Sequence, residues 1–192
     1  MSLAERKRQL VRDELTEAAL QLLAFQGFEE TTIDQMAAAA GVSRRTFFRY
    51  FQSKEDVIIE FLSDLGRQLS DGLSARPAAE PPAVALQQTL RVFTDTFWEH
   101  PEKSRRLTKI MVGTPALLAR YLERQVTWRA TLTTGLAARM STDPVPDLRP
   151  AVLVAVAFAA FDTALTRWAE DDAADLDTLL TACFAAAFPP AS

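Results

Sequence analysis

The sequence predicts an all-α protein of about nine helices. Apolar residues recur at helical spacing throughout, no run alternates apolar and polar residues between turn signals, and proline and glycine separate the helical segments. The chain has 192 residues, of which 48% are hydrophobic and 24% charged, a composition typical of a globular protein with an ordinary core.

The first helix is predicted over residues 2–25. Ser2 and Glu5 have the spacing of a capping box at its start, and Gly27 ends it. Its predicted buried side consists of apolar residues at helical spacing: Leu10, Leu15, Ala18, Ala19, Leu22 and Leu23.

Three further helices follow in the N-terminal part. Thr32 is the predicted N-cap of a short second helix, with Gln35 completing a capping box and Gly41 stopping the helix. Ser43 is the predicted N-cap of a third helix, 44–51, and Ser53 begins a fourth that runs to residue 73.

The proline-rich stretch "SARPAAEPP", residues 74–82, is a composition break and the predicted domain boundary. Beyond it, apolar stripes predict five helices, around 86–97, 107–111, 117–136, 149–169 and 175–188. The predicted organisation is therefore an N-terminal domain over 1–52, a connecting helix over 53–73 and a second domain over 83–192.

Positive charge is concentrated in one segment of an acidic chain. The formal net charge is −4, yet residues 43–54 contain Arg44, Arg45, Arg49 and Lys54 and no carboxylate. A nucleic-acid partner would have to bind at this local cluster.

The same segment predicts a helix-turn-helix. Two short helices are joined by a glycine turn at Gly41, and the second begins with arginines. Phe47 and Phe51 are four residues apart and share the face that packs inward, with Ala37 small enough for close contact at the turn. An ordinary solvated helix start is the alternative for an isolated pair of arginines.

The stretch "GFEETTIDQMAAAAGVSRRTFFRYFQSKEDV", residues 27–57, resembles the DNA-binding domain of the TetR family of bacterial transcriptional regulators. The resemblance covers about a quarter to a third of the chain and implies contacts with double-stranded DNA. The implied base-contacting residues are Arg44, Arg45 and Phe48, and the implied phosphate-binding residues are Thr32, Ser43, Tyr50 and Lys54. Thr46 and Arg49 are compatible with either role.

The helix predicted over 149–169 is apolar nearly all round and must be buried on several sides. Its large residues are assigned to the domain core and its small ones to a subunit contact, and the family resemblance implies the same four-helix homodimer. The predicted dimer-interface residues are Val152, Ala155, Ala159, Asp162, Leu176, Leu180 and Cys183.

A ligand pocket is expected among the middle helices of the second domain, for a largely apolar small-molecule inducer. The candidate lining residues are Phe93, Phe97, Met111, Tyr121, Gln125, Trp128, Phe158 and Phe161. Aromatic stripes at helical spacing are also typical of a plain core. Gln125 is informative because a polar residue in an apolar stripe needs a partner, and Asp162 is open to an intersubunit arginine or a ligand.

Other classes of protein are disfavoured. One histidine and one cysteine give no metal-spaced cluster, no disulfide and no catalytic constellation, so we expect neither an enzyme nor a cofactor. No signal peptide is apparent, and the uncharged apolar run 151–161 is shorter than a membrane span, which predicts a soluble cytoplasmic protein.

The leading prediction is a homodimeric, ligand-controlled repressor that binds a palindromic operator. The alternative is a DNA-binding regulator whose second domain engages a protein partner.

Overall fold

The computed structural model describes residues 2–98 and 100–189, and the described part is all helix and connecting loop, without a strand. The helices in this part are α1 (Leu3–Gln26), α2 (Ile33–Ala39), α3 (Arg44–Tyr50), α4 (Lys54–Ala75), α5 (Pro82–Trp98), α6 (Pro101–Gly113), α7 (Pro115–Arg139), α8 (Arg149–Glu170) and α9 (Leu176–Ala187). The all-α prediction is confirmed.

The chain forms two compact units. The first is Met1–Ser63 with Glu102–Arg120, and the second is Asp64–Pro101 with Tyr121–Ser192. These units are not the linear segments predicted from composition, because α4 and α7 each contribute to both and α6 belongs to the first unit.

In the first unit, α1 packs on α2 and α2 packs on α3. Its core contains Leu15, Leu23, Met36 and Phe47, all fully buried. Leu10 was predicted on the buried side of α1, and this prediction is wrong. Leu10 is 62% exposed because the packed part of the helix begins only at Leu15.

In the second unit, α8 packs against α9 and α5, and α5 also packs on α9. The predicted large-residue stripe of α8 is confirmed as core: Val154, Phe158, Phe161, Leu165 and Trp168 are buried. An ion pair between Arg91 of α5 and Asp177 of α9 joins two of these helices at their edge.

α8 also has the length and composition of a membrane-spanning helix, with a mean hydropathy of 1.5 over 18 residues, and it is the one such helix in the described residues. The uncharged run 151–161 is too short for a span, but the whole helix is not. Its buried side packs on α5 and α9, which is also how a core helix of this composition behaves.

Candidate nucleic-acid interface

The start of α2 is held by the capping box predicted from the sequence. The N–H of Gln35 donates to Thr32 Oγ1 at 3.3 Å, and the N–H of Thr32 donates to Gln35 Oε1 at 2.8 Å. Two N–H groups that the helix itself leaves without partners are satisfied in this way. Thr32 is exposed at this end of the helix.

The turn between α2 and α3 depends on Gly41. Its φ of +65° lies in the left-handed region that glycine adopts at little cost. The next N–H, of Val42, donates to Ala37 O at 2.9 Å and closes the turn over a side chain that is almost fully buried. The predicted reason for a small residue at position 37 therefore agrees with the structure.

α3 has one buried and one exposed side, as its sequence predicts. Phe47 is fully buried and Phe51, at the C-cap, is 3% exposed. Phe48 is 44% exposed and rests edge-on against Phe47, with 5.8 Å between the ring centroids. An apolar side chain exposed beside arginines at a helix start can contact a thymine methyl group or a sugar.

The two adjacent arginines differ in their surroundings. Arg44 Nη1 donates to both carboxylate oxygens of Asp34 at 2.9 and 2.8 Å, and its guanidinium lies 5.4 Å from the Phe48 ring centroid. The Arg45 side chain is exposed and makes no hydrogen bond or ion pair with the described part of the chain. The Arg45 side chain is therefore free to bind an external partner, whereas Arg44 must first release the carboxylate of Asp34.

The hydroxyl groups at the start of α3 cap the helix first. Ser43 Oγ accepts from the N–H of Thr46 at 3.1 Å and lies 2.9 Å from Thr46 Oγ1. At the other end of α3, Arg49 lies over the Tyr50 ring at 5.1 Å and donates to the Tyr50 hydroxyl at 3.3 Å. This contact links the two side chains, so a change at one alters the other.

Lys54 has partners inside the protein that the sequence did not reveal. Its Nζ donates to Phe28 O at 2.6 Å and to Thr31 O at 3.4 Å, and it lies 4.0 Å from the centroid of the Phe28 ring. A cation at the start of α4 is thus explained without a phosphate. An ammonium group has three donors, so one remains for a phosphate after these two hydrogen bonds.

The pocket candidates are divided by the structure. Phe93, Tyr121, Gln125, Trp128, Phe158 and Phe161 belong to the second unit and are buried. Met111 is buried but belongs to the first unit, and the side chain of Phe97 lies outside the described residues. The ring centroids of Phe93 and Phe161 are 4.7 Å apart, and those of Phe93 and Trp128 are 5.7 Å apart.

Gln125 and Asp162 find their partners in each other. Asp162 Oδ1 accepts from Gln125 Nε2 at 2.6 Å and from the Tyr121 hydroxyl at 2.9 Å. Arg129 Nη2 donates to Gln125 Oε1 at 2.7 Å and lies 3.6 Å from Asp162 Oδ2. We call these four residues the polar network.

Burial governs the ionisation of the polar network. It raises the pKa of the Tyr121 hydroxyl well above its ordinary value, and the nearby carboxylate of Asp162 adds to that rise. Burial also raises the pKa of Asp162, against the hydrogen bonds from Tyr121 and Gln125 that favour its charged form. Tyr121 is therefore a neutral donor at physiological pH.

Sequence reasoning missed Arg129. Its guanidinium lies 5.1 Å from the Phe158 ring centroid, and its Nε is buried without a hydrogen-bond partner among the described residues. The signal was available, because Gln125 and Arg129 are one helical turn apart and Gln125 had been marked as needing a partner.

The dimer-interface candidates also separate. Val152, Ala155 and Ala159 form an exposed small-residue face on α8, and Cys183 on α9 is half-buried. Leu176 and Leu180 are 5% and 0% exposed, so they pack inside the second unit and cannot meet a partner. Asp162 joins the polar network within the protomer, and its side chain is 33% exposed.

Two short helices joined by a tight glycine turn, with exposed arginines and an exposed phenylalanine at the start of the second helix, define a DNA-binding protein of the helix-turn-helix class. Residues 15–61 match the family model described as bacterial regulatory proteins of the tetR family, and residues 80–189 match the MftR C-terminal domain. The chain belongs to the TetR family of bacterial transcriptional regulators.

Similar proteins agree with this membership. The HTH-type transcriptional regulator TcmR of Streptomyces glaucescens is 34% identical over 94% of this chain and 82% of its own. The fatty acid degradation regulator FadR from Bacillus halodurans has the same fold, with a TM-score of 0.70 at 20% identity, over 94% of this chain and 95% of its own. FadR from Bacillus subtilis, solved in complex with stearoyl-CoA, gives a TM-score of 0.67 at 16% identity over 93% and 98%. This chain is a DNA-binding transcriptional regulator.

Proposed function

We propose that the protein is a homodimeric repressor that leaves a palindromic operator when a largely apolar small molecule binds its second unit. The observation that carries the proposal is the exposed start of α3, where Arg44, Arg45 and Phe48 are held by a helix whose other side is core. A two-fold dimer of such helices fits successive major grooves of B-DNA, about 34–36 Å apart.

In the DNA complex we assign base contacts to Arg44, Arg45 and Phe48. Arginine can donate to guanine O6 and N7 together, which distinguishes a G·C pair from the others. Since the Arg45 side chain has no partner among the described residues and Arg44 pairs with Asp34, Arg45 is the stronger base-contacting candidate. Thr32, Ser43, Tyr50 and Lys54 are assigned to phosphates, with Thr46 and Arg49 at the edge of this surface.

Selection of bound DNA fragments by the purified protein gives the operator, and variants then test the assignments. Arg45→Ala should cost about 1–3 kcal/mol per half-site and relax base preference at one position, because a base-edge donor is lost. Arg45→Lys is the matched control, since it keeps the charge and removes the paired donors. If Arg45→Ala weakens binding to operator and random DNA equally, the base-contact assignment is wrong.

The dimer is proposed to form through the exposed small-residue face of α8, Val152, Ala155 and Ala159, together with the adjacent face of α9 near Cys183. Val152, Ala155 and Ala159 are uncharged and exposed in the described part of the protomer. Small side chains allow the axes of two helices to come close.

A pair of alanine substitutions tests this interface. Ala159→Glu places a carboxylate in the proposed contact, whereas Ala130→Glu makes the same change on an exposed position of α7. The two sites are alike, because each carbonyl oxygen accepts from a threonine hydroxyl four residues later. Sedimentation should show a monomer for Ala159→Glu and a dimer for Ala130→Glu. Dimers from both variants would refute this choice of interface.

The ligand site is proposed at the aromatic cluster of Phe93, Trp128 and Phe161, next to the polar network. Aromatic walls bind an apolar body, while Gln125 and Arg129 offer donors to a polar group. The Bacillus subtilis FadR that shares this fold was solved with stearoyl-CoA, which makes acyl compounds a reasonable first class of ligand to test.

Titration with and without operator DNA tests the regulatory part. An inducer that weakens DNA binding tenfold prefers the released form by about 1.4 kcal/mol, and DNA must weaken inducer binding by the same factor. Stearoyl-CoA and free fatty acids of graded length are the first probes, with Gln125→Trp as the variant that fills the site. Equal ligand affinity in the two conditions would show that the ligand is no inducer. Failure of all small molecules would favour a protein partner for the second unit.

A further inference from the structure

The first turns of α1 form a helical extension beyond the packed part of the first unit. Residues 2–10 are all exposed, and the first buried residue of the helix is Leu15. The helix is nevertheless continuous from Leu3 and begins with the intact capping box of Ser2 and Glu5. The extension is therefore a formed helix without a core of its own.

This extension carries three consecutive cations, Arg6, Lys7 and Arg8, which we call the basic cluster. None of their side chains makes a hydrogen bond or ion pair with the described residues. The one acid of residues 2–10, Glu5, is held by the N–H of Ser2 at 2.6 Å. With three cations and one carboxylate, this stretch has a charge of +2 in a chain whose net charge is −4.

Contacts at Arg12 fix where the extension begins. Arg12 Nη1 pairs with Glu60 Oε1 at 2.9 Å, and its guanidinium lies 6.0 Å from the ring centroid of Phe51, the C-cap residue of α3. Arg8 is one helical turn before Arg12 and shares its side of α1. The extension thus leaves the unit at the end of α3 and continues for about 14 Å at 1.5 Å per residue.

The charge of the basic cluster is not explained by folding. Cations at the start of a helix oppose its dipole, and these three gain no compensating ion pair from any described residue. The match to the TetR family model begins at residue 15, after the extension. A polyanion beside the end of α3 would supply the missing partner.

We propose that the basic cluster is a second DNA contact, which binds backbone phosphates of the duplex flanking the half-site held by α3. The partner is the same duplex, since the extension continues from Arg12, whose guanidinium lies 6.0 Å from the ring centroid of Phe51 at the end of α3. The three side chains are exposed and are not oriented by any hydrogen bond or ion pair among the described residues. They should therefore bind phosphates and add affinity and salt dependence without adding sequence preference.

The test compares two duplexes that contain the operator selected by the wild-type protein. One ends at the outer edges of the half-sites, and the other continues for about one helical turn, about 10 base pairs, on each side. The wild-type salt dependence should be steeper on the longer duplex, by up to about five in the log–log slope for a dimer that gains three phosphates per subunit. This comparison needs no variant. Equal slopes on the two duplexes would overturn the proposal.

Variants then assign the difference to the basic cluster. The triple change Arg6→Ala, Lys7→Ala and Arg8→Ala should remove the difference in slope and weaken binding to the longer duplex about tenfold or more at low salt. The matched control Arg6→Lys, Lys7→Arg and Arg8→Lys keeps all three charges and should keep the slope. Both variants should melt like the wild type, because the replaced side chains are exposed and without partners.

Two other outcomes of these measurements would overturn the proposal. An equal loss on both duplexes would place the contact inside the half-site and overturn the flanking assignment. Binding to vesicles with anionic lipid that depends on the cluster, with no flank effect on DNA, would assign it to a membrane surface. Binding of the shorter duplex reports the contacts proposed within the half-site, so the basic cluster can fail as a DNA contact while the proposed regulator function stands.

Discussion

Two glycines of α4 offer a direct test of how the second unit is packed. A Cβ atom on Gly66 would lie 2.2 Å from Trp128 Nε1 and 2.8 Å from its Cδ1, whereas a Cβ on Gly72 would meet only a methyl carbon of Thr89 at 3.8 Å. Both positions are interior to the same helix. Gly66→Ala and Gly72→Ala therefore share the change in helix propensity and differ in contact.

The magnitudes follow from these distances. Gly72→Ala should stabilise the protein by about 0.5–1 kcal/mol, because alanine is the better helix former and the new methyl group meets ordinary contact. At Gly66 the indole must move from 2.2 Å to the 3.4 Å where ordinary contact begins, a shift of 1.2 Å. Trp128 is 5% exposed and lies against Phe93, so that shift disturbs its neighbours and costs about 1–3 kcal/mol.

The propensity gain cancels between the two variants, so their difference isolates the clash. Gly66→Ala should melt about 2–12 °C below Gly72→Ala, at 2–4 °C per kcal/mol for a chain of this size. The double variant Gly66→Ala with Trp128→Phe should recover part of the loss relative to Trp128→Phe alone, because the two sites are in contact. Equal melting temperatures for Gly66→Ala and Gly72→Ala would refute the packing of Trp128 against α4.

Three further changes test the charges. Asp34→Asn should tighten DNA binding by up to about fivefold at low salt, because the exposed Asp34–Arg44 ion pair, worth up to about 1 kcal/mol, no longer holds Arg44. High salt should erase this gain, and tighter binding that survives high salt would contradict the prediction. Asp175→Ala should cost about 1 kcal/mol in urea unfolding, because Asp175 caps α9 through the N–H of Thr178 at 2.8 Å. The hydrogen bond from the Thr178 hydroxyl, followed by the one from its N–H, lowers the pKa of Asp175, so the contribution of Asp175 should hold above pH 3.8 and fade as the pH falls below it. The pH dependence at Asp162 has the opposite sign, because burial raises the pKa of this carboxyl group. The stability of the wild type relative to Asp162→Asn should therefore fall as the pH rises above 3.8. A stability difference that does not change with pH would count against the burial of Asp162.

The local part of the fold was predictable because its determinants are close in sequence. Thr32 and Gln35 are three residues apart and form the predicted capping box, and Gly41 has the positive φ that the turn between two short helices requires. The two-sided character of α3 followed from the four-residue spacing of Phe47 and Phe51. A helix-turn-helix can therefore be predicted from the sequence before any tertiary contact is known.

The parts that sequence did not reveal depend on where packing starts and stops. Periodicity placed Leu10 on the buried side of α1 with Leu15, but it could not show that Leu10 remains exposed in the described structure. It likewise marked Leu176 and Leu180 as apolar without distinguishing the protomer core from a subunit contact. Lys54 bonds to the carbonyl oxygen of Phe28, 26 positions earlier, and no local pattern encodes such a contact.

Asp162 connects the two proposed activities of the second unit. It lies on α8 one turn after Ala159, which belongs to the proposed dimer face. Its carboxylate accepts hydrogen bonds from Tyr121 and Gln125 beside the aromatic cluster. Those two donors hold Oδ1 of Asp162 within the protomer. A ligand that takes the amide of Gln125 for its own polar group would leave a partly buried carboxylate short of a donor, at a cost of about 1–3 kcal/mol. That cost is the size of a typical coupling energy between two sites. We therefore expect a ligand bound at the polar network to alter the packing of the two α8 helices in the proposed dimer. A change in that packing would in turn alter the spacing of the two α3 helices.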